Sequence, residues 1–211
     1  MRVTGISFVS DGLVFKLDSG DKDVTLIGFS EPMANLAVPA MVSYGGEEYS
    51  VSSIGPAFNG CTSLSSISIP DSVTSIGFCA FNGCTSLSSI SIPDSVTRIG
   101  DNAFAFCYSL TAADIGSSVK SIGNYAFYWC TSLASVTIPD SVTSIGNCAF
   151  YGCTSLSSIS IPDSVIYIGT EAFQPLNFFD ENGNMLLKKA EALAGYLYEG
   201  DGDGRLFRVM A

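Results

Sequence analysis

The chain has 211 residues and a net charge of −11, with 20 Asp and Glu against 9 Lys and Arg, and it contains no histidine. That acidic balance argues against nucleic acid and anionic membrane as partners, since both reward clustered cations. The missing imidazole excludes Ser-His-Asp and Cys-His nucleophile systems, His-ligated zinc and histidine general bases. No stretch of about 18 apolar residues occurs, so no membrane insertion is expected. The start, Met1 to Phe15, lacks the basic and then apolar pattern of a signal peptide. The compartment stays open.

In chain order, residues 1–53 carry turn signals at Ser10-Asp11-Gly12, Asp18-Ser19-Gly20-Asp21 and Tyr44-Gly45-Gly46-Glu47. These predict hairpins and make 1–53 a β-rich N-terminal cap. From residue 54 a repeat takes over. Phe58, Phe81, Phe104, Phe127, Phe150 and Phe173 recur every 23 residues, each preceded by Ala. Ile54, Ile76, Ile99, Ile122, Ile145 and Ile168 open the units, the first spacing being one residue short. Units 76–98 and 145–167 differ only at Phe78/Asn147, Asn82/Tyr151, Thr97/Ile166 and Arg98/Tyr167, whereas unit 99–121 is degenerate. A fixed period of this length predicts a solenoid, and six units exceed the roughly three that stacking stability needs.

Within a unit, Leu64-x-x-Ile67-x-Ile69 ends in the alternation of a half-buried strand, closed by Pro70, which cannot donate to a ladder. Asp71 and Ser72 suit a turn, with the Asp expected to cap it. Val73 and Ile76 make a second, shorter inward piece, and Ala-Phe falls where a tight helical or 3₁₀ turn returns the opposite wall to the core. Residues 174–211 are expected to close the far end, with a hairpin at Asn182-Gly183, a short helix at 188–194 and a strand at 206–209. Caps are needed because an open solenoid end is an unpaired edge.

The run C-T-S-L-S-S-I-S-I-P-D-S-V-T-S-I-G-x-x-A-F resembles the BspA-type (Treponema pallidum-type) leucine-rich repeat across about 54–173, and Leu36-Ala37-Val38-Pro39 begins an incomplete copy. The resemblance implies a mainly β, right-handed leucine-rich-repeat solenoid of about six coils. It also implies a secreted or cell-surface protein used in adhesion or binding, without enzyme activity.

Of seven cysteines, Cys61, Cys84, Cys107, Cys130 and Cys153 share one repeat position, which Leu176 fills in the last unit. An apolar slot predicts free, buried thiols. Cys79 and Cys148 share a column with Asn102, Tyr125 and Glu171 and are expected to face solvent, about 14 Å apart and too far to bridge. Glu199, Asp201, Asp203 and Gly204 resemble the first half of a calcium loop, but Met210 stands where its closing carboxylate belongs. A plain turn is expected there. The Asp71, Asp94, Asp140 and Asp163 ladder is read as turn capping rather than calcium binding. The sequence calls for no metal and no cofactor.

Two surfaces offer themselves to a partner. The strand face is rich in small hydroxyls (Ser65, Ser66, Ser68, Ser88, Ser89, Ser91, Ser157, Ser158, Ser160) and poor in the aromatic and Arg anchors that carry interface energy. On the turn after the repeated Phe, the middle coils place Phe106, Tyr108, Tyr125, Tyr128, Trp129 and Tyr151 where regular coils hold Asn, Gly or Thr. This cluster is either a contact surface or extra packing on the outer wall. The first reading is a non-enzymatic binding or adhesion module for a protein or a host or surface glycan. The alternative is an assembly subunit that forms homo-oligomers through its caps or this ridge. An Asp/Glu enzyme such as a glycosidase is disfavoured, because the repeated Asp residues read as turn residues and no unique cleft is visible.

Overall fold

The computed structural model describes residues 5–18, 22–180, 182–183, 185–186, 193–194, 196–200 and 205–208. The N-terminal part holds β1 (Ser7–Ser10), β2 (Leu13–Leu17), β3 (Asp23–Phe29), β4 (Asn35–Ala37), β5 (Met41–Tyr44) and β6 (Glu47–Ile54). Five coils then contribute one strand each to two walls: β7 (Ser66–Ser68) with β8 (Ser75–Ile76), β9 (Ser89–Ser91) with β10 (Arg98–Ile99), β11 (Ala112–Asp114) with β12 (Ser121–Ile122), β13 (Ser135–Thr137) with β14 (Ser144–Ile145), and β15 (Ser158–Ile161) with β16 (Tyr167–Ile168). The chain ends in β17 (Asn177–Phe179), β18 (Tyr196–Gly200) and β19 (Arg205–Arg208). Among the described residues helical backbone is confined to Leu193, within the helix expected at 188–194.

Stacking is in register, residue i on residue i+23. Ile76 pairs with Ile99, Ile99 with Ile122, Ile122 with Ile145 and Ile145 with Ile168, all in parallel. The same shift relates Ile90, Ala113, Val136 and Ile159 on the other wall. One sheet runs β1-β2-β3-β6-β8-β10-β12-β14-β16, so the N-terminal strands continue the solenoid wall, with β5 hairpinned onto β6. The other runs β17-β19-β18-β15-β13-β11-β9, so the C-terminal strands cover only that wall. The expected partial coil is present: β4 lies parallel to β7 with Leu36 opposite Ile67.

The turn after Ile-Gly forms a third wall without strands. Its alternate amides bond in two directions. Those of Asn102, Phe104 and Phe106 donate to the carbonyls of Asn124, Ala126 and Tyr128 one coil on, while those of Ala103, Ala105 and Cys107 close tight turns onto Gly100, Asn102 and Phe104. The wall can therefore bury its backbone without leaving polar groups unpaired. Pro-Asp-Ser-Val forms a four-residue turn, as in Val73 N to Pro70 O. Here the structure departs from the capping expected of Asp. The following serine does the tying: Ser72, Ser95, Ser141 and Ser164 hydroxyls donate to the Val51, Val73, Val119 and Val142 carbonyls. Asp94 instead accepts the Ser117 amide of the next coil at 2.6 Å, which holds its carboxyl below the usual range.

The core is a set of columns. The Phe58, Phe81, Phe104, Phe127, Phe150 and Phe173 rings stack at 5.1–5.5 Å, within 10° of parallel. Each is fully buried, and a side chain of this size stabilises by about 1.5–3 kcal/mol on burial. Phe29 of β3 prolongs the column at 5.9 Å from Phe58, and Phe178 ends it by turning 71° against Phe173. Beside it runs the cysteine column. All seven cysteines are free and the five ladder thiols are buried. Cys84, Cys107, Cys130 and Cys153 each donate to the Phe carbonyl of the preceding coil at 3.1–3.2 Å. Cys79, expected to face solvent, is buried, and Cys148 is half-buried. The Asn182-Gly183 turn is present, with Phe179 bridged to Met185. Residues 188–192 of the expected helix and the acidic residues 201–204 lie outside the described residues.

Candidate functional site: an aromatic ridge on the turn wall

Two positions of the turn need left-handed backbone. The first holds Cys79, Asn102, Tyr125, Cys148 and Glu171, all with φ between 53° and 57°. The second holds Gly60, Gly83 and Gly152 in regular coils but Phe106 (φ 60°) and Trp129 (φ 56°) in the middle ones. For an aromatic residue this conformation costs about 1–2 kcal/mol relative to the right-handed region. Two large rings thus stand where only Gly is at ease. The one-residue deletion at Gly55-Pro56-Ala57 removes the first of these positions, so the short opening unit lacks that left-handed residue.

The six sequence-marked aromatics come together as one cluster. Tyr128 is the hub: its ring lies 5.4 Å from Phe106 at 90°, 5.4 Å from Tyr125 at 78°, 6.4 Å from Trp129 at 72° and 5.3 Å from Tyr151, stacked. Tyr108 joins through Phe106 at 6.2 Å. Phe106, Tyr108, Tyr125 and Trp129 remain 37–44% exposed, while Tyr128 and Tyr151 are half-buried beneath them. The cluster thus has four exposed rings and two half-buried ones. The Trp129 indole lies across Gly152 of the next coil, where a Cβ would meet the ring at 3.1 Å. Sequence reasoning missed that glycine's role; the Trp-above-Gly pairing at 129 and 152 was its only signal.

Tyr125 continues into a short polar row. Cys148 lies beside it, its Sγ 3.9 Å from Glu171 Oε2. The neighbouring Cys148 raises the Tyr125 phenol above its ordinary value, while burial and then Glu171 raise the Cys148 thiol. Both stay protonated at neutral pH. Along the inner margin Asn124 Oδ1 accepts the Asn147 amide and Asn147 Oδ1 accepts the Thr170 amide, each at 2.8 Å. These amide oxygens hold successive coils together.

The serine face behaves differently. Ser88 and Ser157 hydroxyls donate to the Ser65 and Ala134 carbonyls of the preceding coil, and Ser65 donates to the Ala34 carbonyl. Much of its donor capacity is used within the solenoid. Near its end Asp71, Asp94 and Asp114 line a groove of about 670 Å³.

Residues 53–178 match the BspA-type leucine-rich repeat region in six copies. The chain belongs to the BspA-type leucine-rich repeat family. Among solved structures it is similar to a leucine-rich cell surface protein from Faecalibacterium prausnitzii A2-165, with 34% identity and a TM-score of 0.62 over 82% of this chain and 53% of that one. A leucine-rich repeat protein from Bacteroides ovatus ATCC 8483 is 28% identical, with a TM-score of 0.51 over 82% of this chain and 58% of that one. The T. pallidum leucine-rich repeat protein, 24% identical, shares the fold with a TM-score of 0.59 over 79% of this chain and 82% of that one. The chain spans little more than half the length of the first two. No curated protein matches its sequence. Among the described residues no helix is long and apolar enough to cross a membrane.

Proposed function

We propose that this BspA-type solenoid is a non-enzymatic binding module of the cell surface or its surroundings, and that it engages a protein partner through the aromatic ridge. The supporting observation is the left-handed backbone of Trp129 and Phe106. A conformational cost at an exposed, non-glycine position persists only when something offsets it, and such outliers cluster at ligand contacts. Rigid aromatics also supply contact area at low entropic cost. The surface location follows the F. prausnitzii relative, which is itself a cell surface protein.

The test is the double variant Tyr128→Asn with Trp129→Gly, which restores the regular repeat, probed against a panel of secreted and cell-surface proteins. It should fold with a melting temperature close to the parent's and lose the contacts the parent makes. Unchanged binding by the folded variant would remove the ridge from this role. Self-assembly is a second reading, carried by the edge strand β16. Ile166 is 78% and Tyr167 52% exposed, in columns where inner coils place Thr97 and Arg98 or Lys120 and Ser121. Light scattering separates the two: an oligomer broken by Ile166→Thr with Tyr167→Ser favours assembly.

A further inference from the structure

Resting on that reading of the ridge, we infer that its partner presents a cationic segment, Arg or Lys side chains laid across the exposed Tyr and Trp rings. The turn wall, residues 55–63, 78–86, 101–109, 124–132, 147–155 and 170–175, contains no Lys or Arg. Its only charges are Asp101, in the first ridge coil with Phe106 and Tyr108, and Glu171, in the coil after Tyr151, and both are exposed. Asp101 takes the Asn124 amide at 2.8 Å and lines a cavity with Arg98 of β10 without an ion pair among the described residues, and Glu171 stands beside Cys148 and Tyr125. Aromatic faces carry negative charge density and attract guanidinium or ammonium groups by about 0.5–1 kcal/mol each when exposed. A flanking carboxylate at either end adds attraction of the same sign. The chain as a whole, at −11, favours the approach of a basic partner.

The other occupants fit less well. A sugar needs hydrogen-bonding groups around the ring it stacks on, and the Asn124 and Asn147 oxygens beside the ridge are already engaged by the next coil. A second copy brings the same acidic charge and no cation on this wall.

Trp129 is the only tryptophan, so emission excited at the red edge, where indole absorbs and tyrosine does not, reports on the ridge alone. The probe is a synthetic peptide of alternating Gly and Arg, titrated against the full chain beside the same peptide with citrulline, a neutral maltooligosaccharide, and a Gly-Glu peptide. We expect a saturable emission change with the Arg peptide, weakened at least about fivefold by citrulline. Glu171→Gln, at an exposed position, should weaken it about twofold to threefold, and Tyr128→Asn should abolish it with the fold intact by circular dichroism. Equal binding of the citrulline peptide would overturn the inference. Saturable binding of the saccharide or acidic peptide that Tyr128→Asn removes would overturn it while leaving the ridge as a contact site. Arg-peptide binding unaffected by Tyr128→Asn, or no response to any probe, would overturn both.

Discussion

At the scale of single residues, backbone conformation makes predictions that side-chain contacts alone would reverse. Alanine ordinarily outranks glycine as a replacement, but at φ 56° the order inverts. Trp129→Gly is therefore expected to melt higher than Trp129→Ala, by the equivalent of about 1 kcal/mol. Equal melting points would show that the left-handed conformation carries no strain. A neighbouring column offers a gain. Asn82 donates its amide to Asn59 Oδ1 at 3.0 Å, but its own Oδ1 is buried without a partner, because the next residue of the column is Ala105. Extending the ladder with Ala105→Asn should stabilise by about 1 kcal/mol, read as a rise in thermal midpoint. A fall would mean that the closely packed wall has no room for the amide.

At the scale of the repeat element, the tightest constraint is the glycine after each Ile. A Cβ on Gly169 would come within 2.4 Å of the Asn147 amide nitrogen, and one on Gly146 within 2.5 Å of that of Asn124. These neighbours are backbone, so they cannot swing aside. Gly146→Ala should cost at least about 1–3 kcal/mol by forcing two coils apart, measurable by denaturant titration. Much of this element was legible in the sequence. The Phe and Cys columns announced themselves by period, and their buried stacking follows from in-register coils. The tyrosine neighbours Tyr128 and Tyr151 followed from the same arithmetic. The left-handed position did not, since Cys79, Asn102, Tyr125, Cys148 and Glu171 share no chemistry that marks it; only its φ values do. For the same reason the burial of Cys79 was invisible. The Asp ladder misled because Asp is a common turn cap, whereas here the adjacent Ser reaches the preceding coil's carbonyl. The ridge was legible as residues out of pattern. Its strain and its acidic flanks became visible only once the coils were stacked.

At the scale of the whole molecule, the thiol column sets an alkaline limit. Burial raises the Cys84 and Cys130 thiols well above the ordinary value of 9.0 and Cys153 to about 12. A raised folded-state value means that the unfolded chain releases these protons first. The stabilisation is then complete below pH 9 and is lost progressively as pH climbs toward 12. Three such thiols give a slope of up to about 4 kcal/mol per pH unit in that window. Melting temperature should hold between pH 6 and 8 and fall steeply above 9, with the fall blunted in a Cys84→Ala, Cys130→Ala, Cys153→Ala variant. An alkaline decline identical in both proteins would assign it to other groups. Native protein should also resist thiol reagents at the five ladder positions until it is unfolded.

The stacked phenylalanine rings bear on how such a gene can change. Each ring meets a neighbour chemically identical to the one it would meet if a coil were removed, so Phe58 can face Phe104 as readily as Phe81. Excising residues 76–98 joins Ser75 to Ile99 and restores the Ser-Ile-Gly junction found at the next unit boundaries. The shortened chain should fold and unfold cooperatively, at a somewhat lower temperature, as expected when stability accumulates by nearest-neighbour interfaces. If it fails to fold, the units are not interchangeable. If it folds, recombination between near-identical units can lengthen or shorten this protein in whole multiples of 23 codons without disturbing either cap, making the reach of the rod a heritable variable separate from the surface it presents.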